Sequence, residues 1–457
     1  MEAQLRNNPR FRRPLVTRAM TSFGRLWTPL RDNPRFRRLF VTEAVMNFGE
    51  TAVYLSLAIW IKNLTGSNTE TGLVFLAVTA PGLAAPLLGH LVDRVHRKRL
   101  MMRMYGCMAL LFLALLDVRG VGQVWMIYVV TVAYGVVSAT PARPALLKDF
   151  LPSKDAASAR SLLLVASQGI RIVSPAVGAA VYVAFGGHAL AVMGTVTFLA
   201  AVLMLASIDI PESEPEPASE SFGKSVVAGF RFIPKVPLLL RLTLTASAFM
   251  AVVGLLETAV FAAADQGLHQ KAAFFGVITS FQGGGSVVGG LASGWAVKKW
   301  REAGAAGIGY ALMGLGLLLC LIKSVPVFLV GVVAFGFGMP FVLLALGTAF
   351  HLYTPSRMQG RANAALSAIT GAAQTASIAA GAALIGVLGY RFMYVLMAGT
   401  ALVCAVSIGL SRTVQPAVEK SVADEREEAE QEEPEQEEAE EAEAEADGAE
   451  PEPEIHV

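Results

Sequence analysis

The chain has 457 residues, 54% of them hydrophobic and only 16% charged, where an ordinary soluble domain is roughly a quarter charged. A soluble globular enzyme is therefore excluded as the starting reading, because the apolar residues lie in long uncharged runs near the roughly 20 residues a helix needs to cross a bilayer. The net charge of +1 hides two opposed regions: from Glu419 onward 19 residues are acidic and 2 basic, which leaves 35 basic and 17 acidic residues before it.

Residues 1–38 form a basic, polar segment with two copies of NPRFRR, at 8–13 and 33–38. Their arginines lie beside a membrane surface, where they can hold anionic lipids or simply anchor topology. The first apolar run, 39–61, is too long for the h-region of a signal peptide, so an uncleaved start is expected. Further windows at 71–92, 100–118, 124–147, 162–184, 188–208, 242–264, 273–297, 304–322, 325–352, 363–388 and 392–411 bring the predicted spans to twelve. An even number puts both termini on one side. The N-terminal segment, every second loop and the tail hold 29 Lys and Arg, whereas the alternate loops hold only Lys62, Arg119, Lys271, Lys323 and Arg391. Cytoplasmic loops carry the excess of basic residues, so both termini are expected in the cytoplasm, at the plasma membrane of a bacterium. Of the cations inside spans, Arg103 and Arg143 are close enough to a cytoplasmic end to snorkel, and Arg171 is expected to be deeply buried.

Between spans six and seven, 209–241 opens with the acidic PESEPEPASE and continues as SFGKSVVAGFRFIPKVPLLL, which suits an interfacial amphipathic helix in a cytoplasmic loop. It separates a six-helix bundle at 39–208 from a second at 242–411. The tail, 412–457, is too charged to bury a core and is expected to be disordered. The bundles repeat: LPSKDAASARSLLLVASQGIRIVSPAVGAAVYVAFGG aligns with TPSRMQGRANAALSAITGAAQTASIAAGAALIGVLGY at an offset of 203, pairing Ser174 with Ser377, Gly178 with Gly381 and Gly186 with Gly389. A shorter match pairs Glu50-Thr51-Ala52-Val53-Tyr54 with Glu257-Thr258-Ala259-Val260-Phe261 at an offset of 207. Two pseudo-symmetric halves are a transporter architecture.

Cys107, Cys320 and Cys404 each stand alone in an apolar run, so neither a disulfide framework nor a zinc site is expected. Without a metal-ligand cluster, a supported Ser/His/Asp set or a phosphate-binding Gly loop, the reading is not an enzyme, with no cofactor, no metal and no nucleic-acid partner. The glycines of span eight, Gly283, Gly284, Gly285, Gly289, Gly290 and Gly294, provide a face for close helix packing.

From Leu39 to Ser411, about 370 residues, the chain resembles the major facilitator superfamily. GHLVDRVHRKR after span two is similar to the family's loop signature, in which Gly89, Asp93, Arg94, Arg97 and Lys98 take the conserved-type positions and His96 stands where the family has Gly. In span five, Gly169, Pro175 and Gly178 resemble the Gly/Pro motif of proton-driven exporters, with Ser174 and Ala179 replacing glycines. NPRFRRLFVTEAVMNFGE, LTGS and PARPALL look like the branch of macrolide efflux proteins and siderophore exporters. The resemblance implies an all-α membrane fold of twelve helices in two bundles, with spans one and seven lining a cavity. It also implies that Asp93 locks the cytoplasmic side by contacting neighbouring helix ends.

Glu43, Asn47, Glu50 and Tyr54 are spaced i, i+4, i+7 and i+11 and form one polar stripe on a helix. Glu50 lies about 18 Å beyond Arg38, near a bilayer midplane. An ionised carboxylate there costs at least a few kcal/mol unless paired or hydrated, so Glu50 is the expected proton-coupling group, with a hydrogen-bonded structural acid as the alternative. Glu257 is the second candidate, placed nearer the outer mouth. Arg171 is expected to pair with one of them in one access state, either as a switch or as a static tie, and Gln374 stands at its counterpart in the other half. The expected function is secondary transport of a small molecule and protons. Export of an amphiphile is favoured, and uptake by symport, a membrane sensor or a lipid flippase are the alternatives. The sequence assigns no oligomeric state.

Overall fold

The computed structural model describes residues 34–85, 88, 92, 95–140, 156–207 and 222–409. In chain order the helices are α1 (Pro34–Thr65), α2 (Asn68–Thr79), α3 (Arg97–Ala114), α4 (Val124–Ala139), α5 (Ala156–Ala206), α6 (Phe222–Phe232), α7 (Pro237–Val253), α8 (Leu256–Ala262), α9 (Phe274–Leu319), α10 (Val325–Leu352) and α11 (Ser356–Gly409). No strand occurs among the described residues.

The described parts of the twelve predicted spans fall largely on these helices, and 86–87, 89–91, 141–147, 208 and 410–411 lie outside the described residues. Eight segments are long and apolar enough to cross a membrane, and three of them, of 38, 46 and 52 residues, cover about two crossings each. α5 turns back at Gly186, with φ 76°, and α11 at Gly389, with φ 68°. Both conformations favour glycine, and the two residues are the pair predicted at the 203 offset. α9 reverses at Arg301, a non-glycine residue at φ 58°. The predicted span 71–92 opens with α2, which starts at a Ser67 cap accepting from the Glu70 amide at 3.2 Å and continues as a 3₁₀ turn, Ala80–Ala84, around Pro81.

Outward faces are apolar: Leu110, Phe185, Leu291, Val387 and Val403 are each more than two-thirds exposed, the pattern of a surface that meets lipid rather than water. The helix foreseen in 209–241 is α6. Gly229 lays it against the Arg361 carbonyl and Ala365 of α11, and Ile233, one turn on, is buried. The glycines of span eight divide their work: Gly285 and Gly289 admit the Val333 and Phe337 backbone of α10, and Gly283 faces Ile172 of α5.

Candidate functional site

The polar stripe of α1 forms as expected, but its members differ. Glu43 and Glu50 are buried at 8% exposure and both are engaged with other groups. Asn47 turns its amide back onto the Glu43 carbonyl at 3.0 Å. Tyr54 is half-buried, stacked on Tyr134 of α4 with ring centres 5.4 Å apart, and edge-on to Phe75 of α2 at 5.9 Å.

Opposite Tyr54 stands Glu257. Span seven is interrupted at Gly254, where α11 approaches so closely that the Ile378 amide and the Gln374 carbonyl would abut a side chain. α8 restarts at Leu256 with Glu257 in its first turn. One turn further, Phe261 packs on Phe75 at 6.2 Å and stacks on Phe275 at 4.5 Å. Phe75 therefore bridges Tyr54 to the face of α8 that carries Glu257, and the Glu257 and Arg171 charges both reach Tyr54. Among the described residues the Glu257 carboxylate makes no hydrogen bond or ion pair.

Arg171 corrects an expectation. Its side chain is exposed, not deeply buried, and it forms no ion pair with Glu50 or Glu257. Depth along a span fixes the distance from its ends and not how many neighbours cover a side chain, and Arg171 has few among the described residues. Arg171 lies seven residues from Gly178, hence on the same face of α5, and Gly178 packs on the Ala52 carbonyl and Ser56 of α1.

The register of the repeat is corrected as well. Gly381, the counterpart of Gly178, packs on Gly254, Leu255 and Thr258. Like contacts thus relate spans one and seven by 202 to 203 residues, close to the 203 of spans five and eleven and not 207. The partner of Glu257 is Tyr54 rather than Glu50, and the partner of Asp265 is Lys62.

Those last two residues meet. The Lys62 ammonium donates to the Asp265 carboxylate at 3.1 Å and to the Gly66 carbonyl at 2.9 Å. Lys62 is 9% exposed and Asp265 55%. Symmetry mates can touch only near a pseudo-two-fold axis, so this bond lies on the axis, two turns beyond Tyr54 and Glu257. Asp265 sits in a π-turn, Ala263–Gly267, which re-aims its side chain. Sequence reading missed the pair because Lys62 counted only towards topology, although the 203 offset links the two residues directly.

The ends of the spans remote from the termini are closed. Beside the ion pair lies a pocket of about 450 Å³ lined by Lys62, Asn63, Tyr182, Phe261, Asp265 and Lys271. Between α5 and α9, Gly276 meets Pro175 and Ala179, the Ser280 hydroxyl donates to the Ile172 carbonyl at 2.8 Å, and Gly283 meets Ile172. Further towards the termini, Gly290 on the same face of α9 and Gly169 on α5 face open space. Among the described residues the seam is packed at the far side and loosens towards the termini. Tyr128 also donates to the Glu70 carboxylate and, at 2.9 Å, to its carbonyl oxygen, tying α4 to the far end of α2.

Of the remaining sequence candidates, Pro175 is buried within α5 and Gln374 is half-buried on α11. Arg97 and Lys98 begin α3, half-buried and engaged with other groups. Gly89, Asp93 and Arg94 lie outside the described residues. Among the described residues no cluster of His, Cys, Asp or Glu could hold a metal ion.

The family model described as Major Facilitator Superfamily matches residues 39–274 and 257–444. The chain belongs to this superfamily. Solved superfamily-fold structures resemble it over most of their length. A bacterial homologue of the iron transporter ferroportin, in an inward-facing state, aligns at TM-score 0.65 and 12% identity over 83% of this chain and 98% of that one. The nucleoside transporter NupG aligns at 0.63 and 12% over 82% and 98%. The POT family transporter PepTSo aligns at 0.64 and 11% over 84% and 99%. At such identities these likenesses show the fold alone. No curated protein matches significantly in sequence. As a member of the superfamily the chain is a multi-pass membrane transporter and not an enzyme.

Proposed function

We propose that the protein is a proton-coupled exporter of an amphiphilic small molecule, working by alternating access in a bacterial plasma membrane with both termini in the cytoplasm. In that orientation the closed far side is extracellular and the open side cytoplasmic, the state in which an exporter loads its cargo. The observation that carries the reading is Glu257, a carboxylate of the second half that lies close to Tyr54 of the first and makes no hydrogen bond or ion pair among the described residues. Gain or loss of its proton changes the charge where the halves meet, and so changes which access state is preferred. Glu257 replaces Glu50 as the favoured coupling group, because Glu50 is more deeply buried and already engaged. Uptake by symport could use the same carboxylate, and the Gly169, Pro175 and Gly178 motif of span five is what favours export.

The test is efflux of lipophilic cations, macrolides and siderophores from cells expressing wild type, Glu257→Gln or Glu50→Gln, with and without a protonophore. Efflux abolished by the protonophore and by Glu257→Gln, and retained in Glu50→Gln, is the expected result. Loss in Glu50→Gln with retention in Glu257→Gln would return coupling to Glu50. Protonophore-resistant efflux would contradict proton coupling altogether.

A further inference from the structure

The two halves bring opposite charges to the same cavity from equivalent backbone. At mate positions the N-terminal half has Tyr54 and Arg171, and the C-terminal half has Glu257 and Gln374. Arg171 is exposed on the face of α5 that meets α1, two turns nearer the termini than the Gly178 contact, and a tyrosine on a helix directs its hydroxyl back towards the helix N-terminus. Tyr54, in a wall formed with Tyr134 and Phe75, thus lies within electrostatic reach of both Arg171 and Glu257. Neither the guanidinium nor the carboxylate has an ion-pair partner among the described residues. The other acids of the α1 stripe, Glu43 and Glu50, are engaged.

An unpaired cation and an unpaired anion flanking an aromatic wall select by charge pattern. A monocation would pair with Glu257 and be repelled by Arg171, and a monoanion would meet the reverse. A molecule bearing both charges satisfies both groups, and its aromatic body stacks on Tyr54 and Tyr134. We propose that the substrate is a zwitterion with an aromatic body, its anionic group on Arg171 of the N-terminal half and its cationic group on Glu257 of the C-terminal half. Bound in this way it holds one group on each half, so both halves keep a contact as they rock. This rests on the proposed function for the location of the cavity but not on proton coupling.

The test uses the purified full-length protein in detergent, without a gradient, so that failure of coupling and failure of the substrate class are distinguishable. Binding is measured by calorimetry for matched triads: ciprofloxacin, its methyl ester as monocation and its N-acetyl derivative as monoanion, and tryptophyl-glycine with its amide and its N-acetyl form. The expected result is at least tenfold tighter binding of a zwitterion than of either singly charged relative. Arg171→Gln, which copies Gln374, should erase the preference of zwitterion over monocation, and Arg171→Lys should retain it. Glu257→Gln should erase the preference over monoanion. Equal or tighter binding of the monocation by wild type, or a preference unchanged in Arg171→Gln, would overturn the proposal. So would a panel in which no zwitterion binds.

Discussion

The two halves share a backbone plan and differ in chemistry where they meet. α1 is one unbroken helix of 32 residues, and its counterpart, span seven, is interrupted at Gly254 and wound into a π-turn at Ala263–Gly267. Along the axis the first half presents Tyr54 and Lys62, the second Glu257 and Asp265. At these positions the irregular span carries the acid and α1 its partner, although Glu43 and Glu50 also stand on α1. Symmetry of the fold thus makes the positions equivalent, and side-chain chemistry makes the two halves complementary.

The largest effect should come from removing the acid of the inner pair. Glu257→Gln is expected to lower proton-driven transport by about 100-fold or more, and Tyr54→Phe, across the axis, to lower it far less, since only the acid exchanges a proton. Equal losses, measured as protonophore-sensitive efflux, would mean that the two sides act alike.

Next is the outer pair. Lys62→Asp places two carboxylates on the axis and should favour opening of the far side by about tenfold, ~1.4 kcal/mol. Because the two positions are symmetry mates, adding Asp265→Lys should restore closure, an outcome not expected of an ion pair at unrelated positions. Asp265 is more than half exposed, so this effect should weaken as salt is raised.

A smaller contrast concerns packing. A methyl group at Gly178 would run into the Ala52 carbonyl and Ser56, whereas at Gly381 its nearest neighbour is Leu255 at 3.1 Å. Gly178→Ala should cost about 1–3 kcal/mol by overpacking and Gly381→Ala less, as read by thermal unfolding in detergent. The smallest difference is expected at the reversals: Gly186→Ala and Gly389→Ala should each cost about 1 kcal/mol, because both residues hold a positive φ in open space.

Much of this was legible in sequence. Hydropathy located the spans, and the 203 offset found both reversing glycines before any coordinates. The 207 match failed for a physical reason: it is four residues, about one turn, out of register, so it preserves the helix face while misplacing the level. In a composition rich in Ala and Val a short match at the right face persuades too easily. Arg171 was misjudged because hydropathy registers depth in a span and carries no sign of which neighbours cover a side chain. The Phe75, Phe261 and Phe275 cluster drew no notice, since aromatic residues in apolar helices look like ordinary core until three helices bring them together.

The central claim is that symmetry mates of opposite charge hold the far side closed. A single cysteine at Asn47, in a background with Cys107, Cys320 and Cys404 replaced by Ser, would be labelled with a membrane-impermeant thiol reagent applied to each side in turn. Labelling from the termini side alone is predicted for the wild-type pair and for the Lys62→Asp/Asp265→Lys double variant, with far-side labelling appearing in Lys62→Asp. Far-side labelling unchanged in the single variant, or equal in the single and the double, would contradict the account.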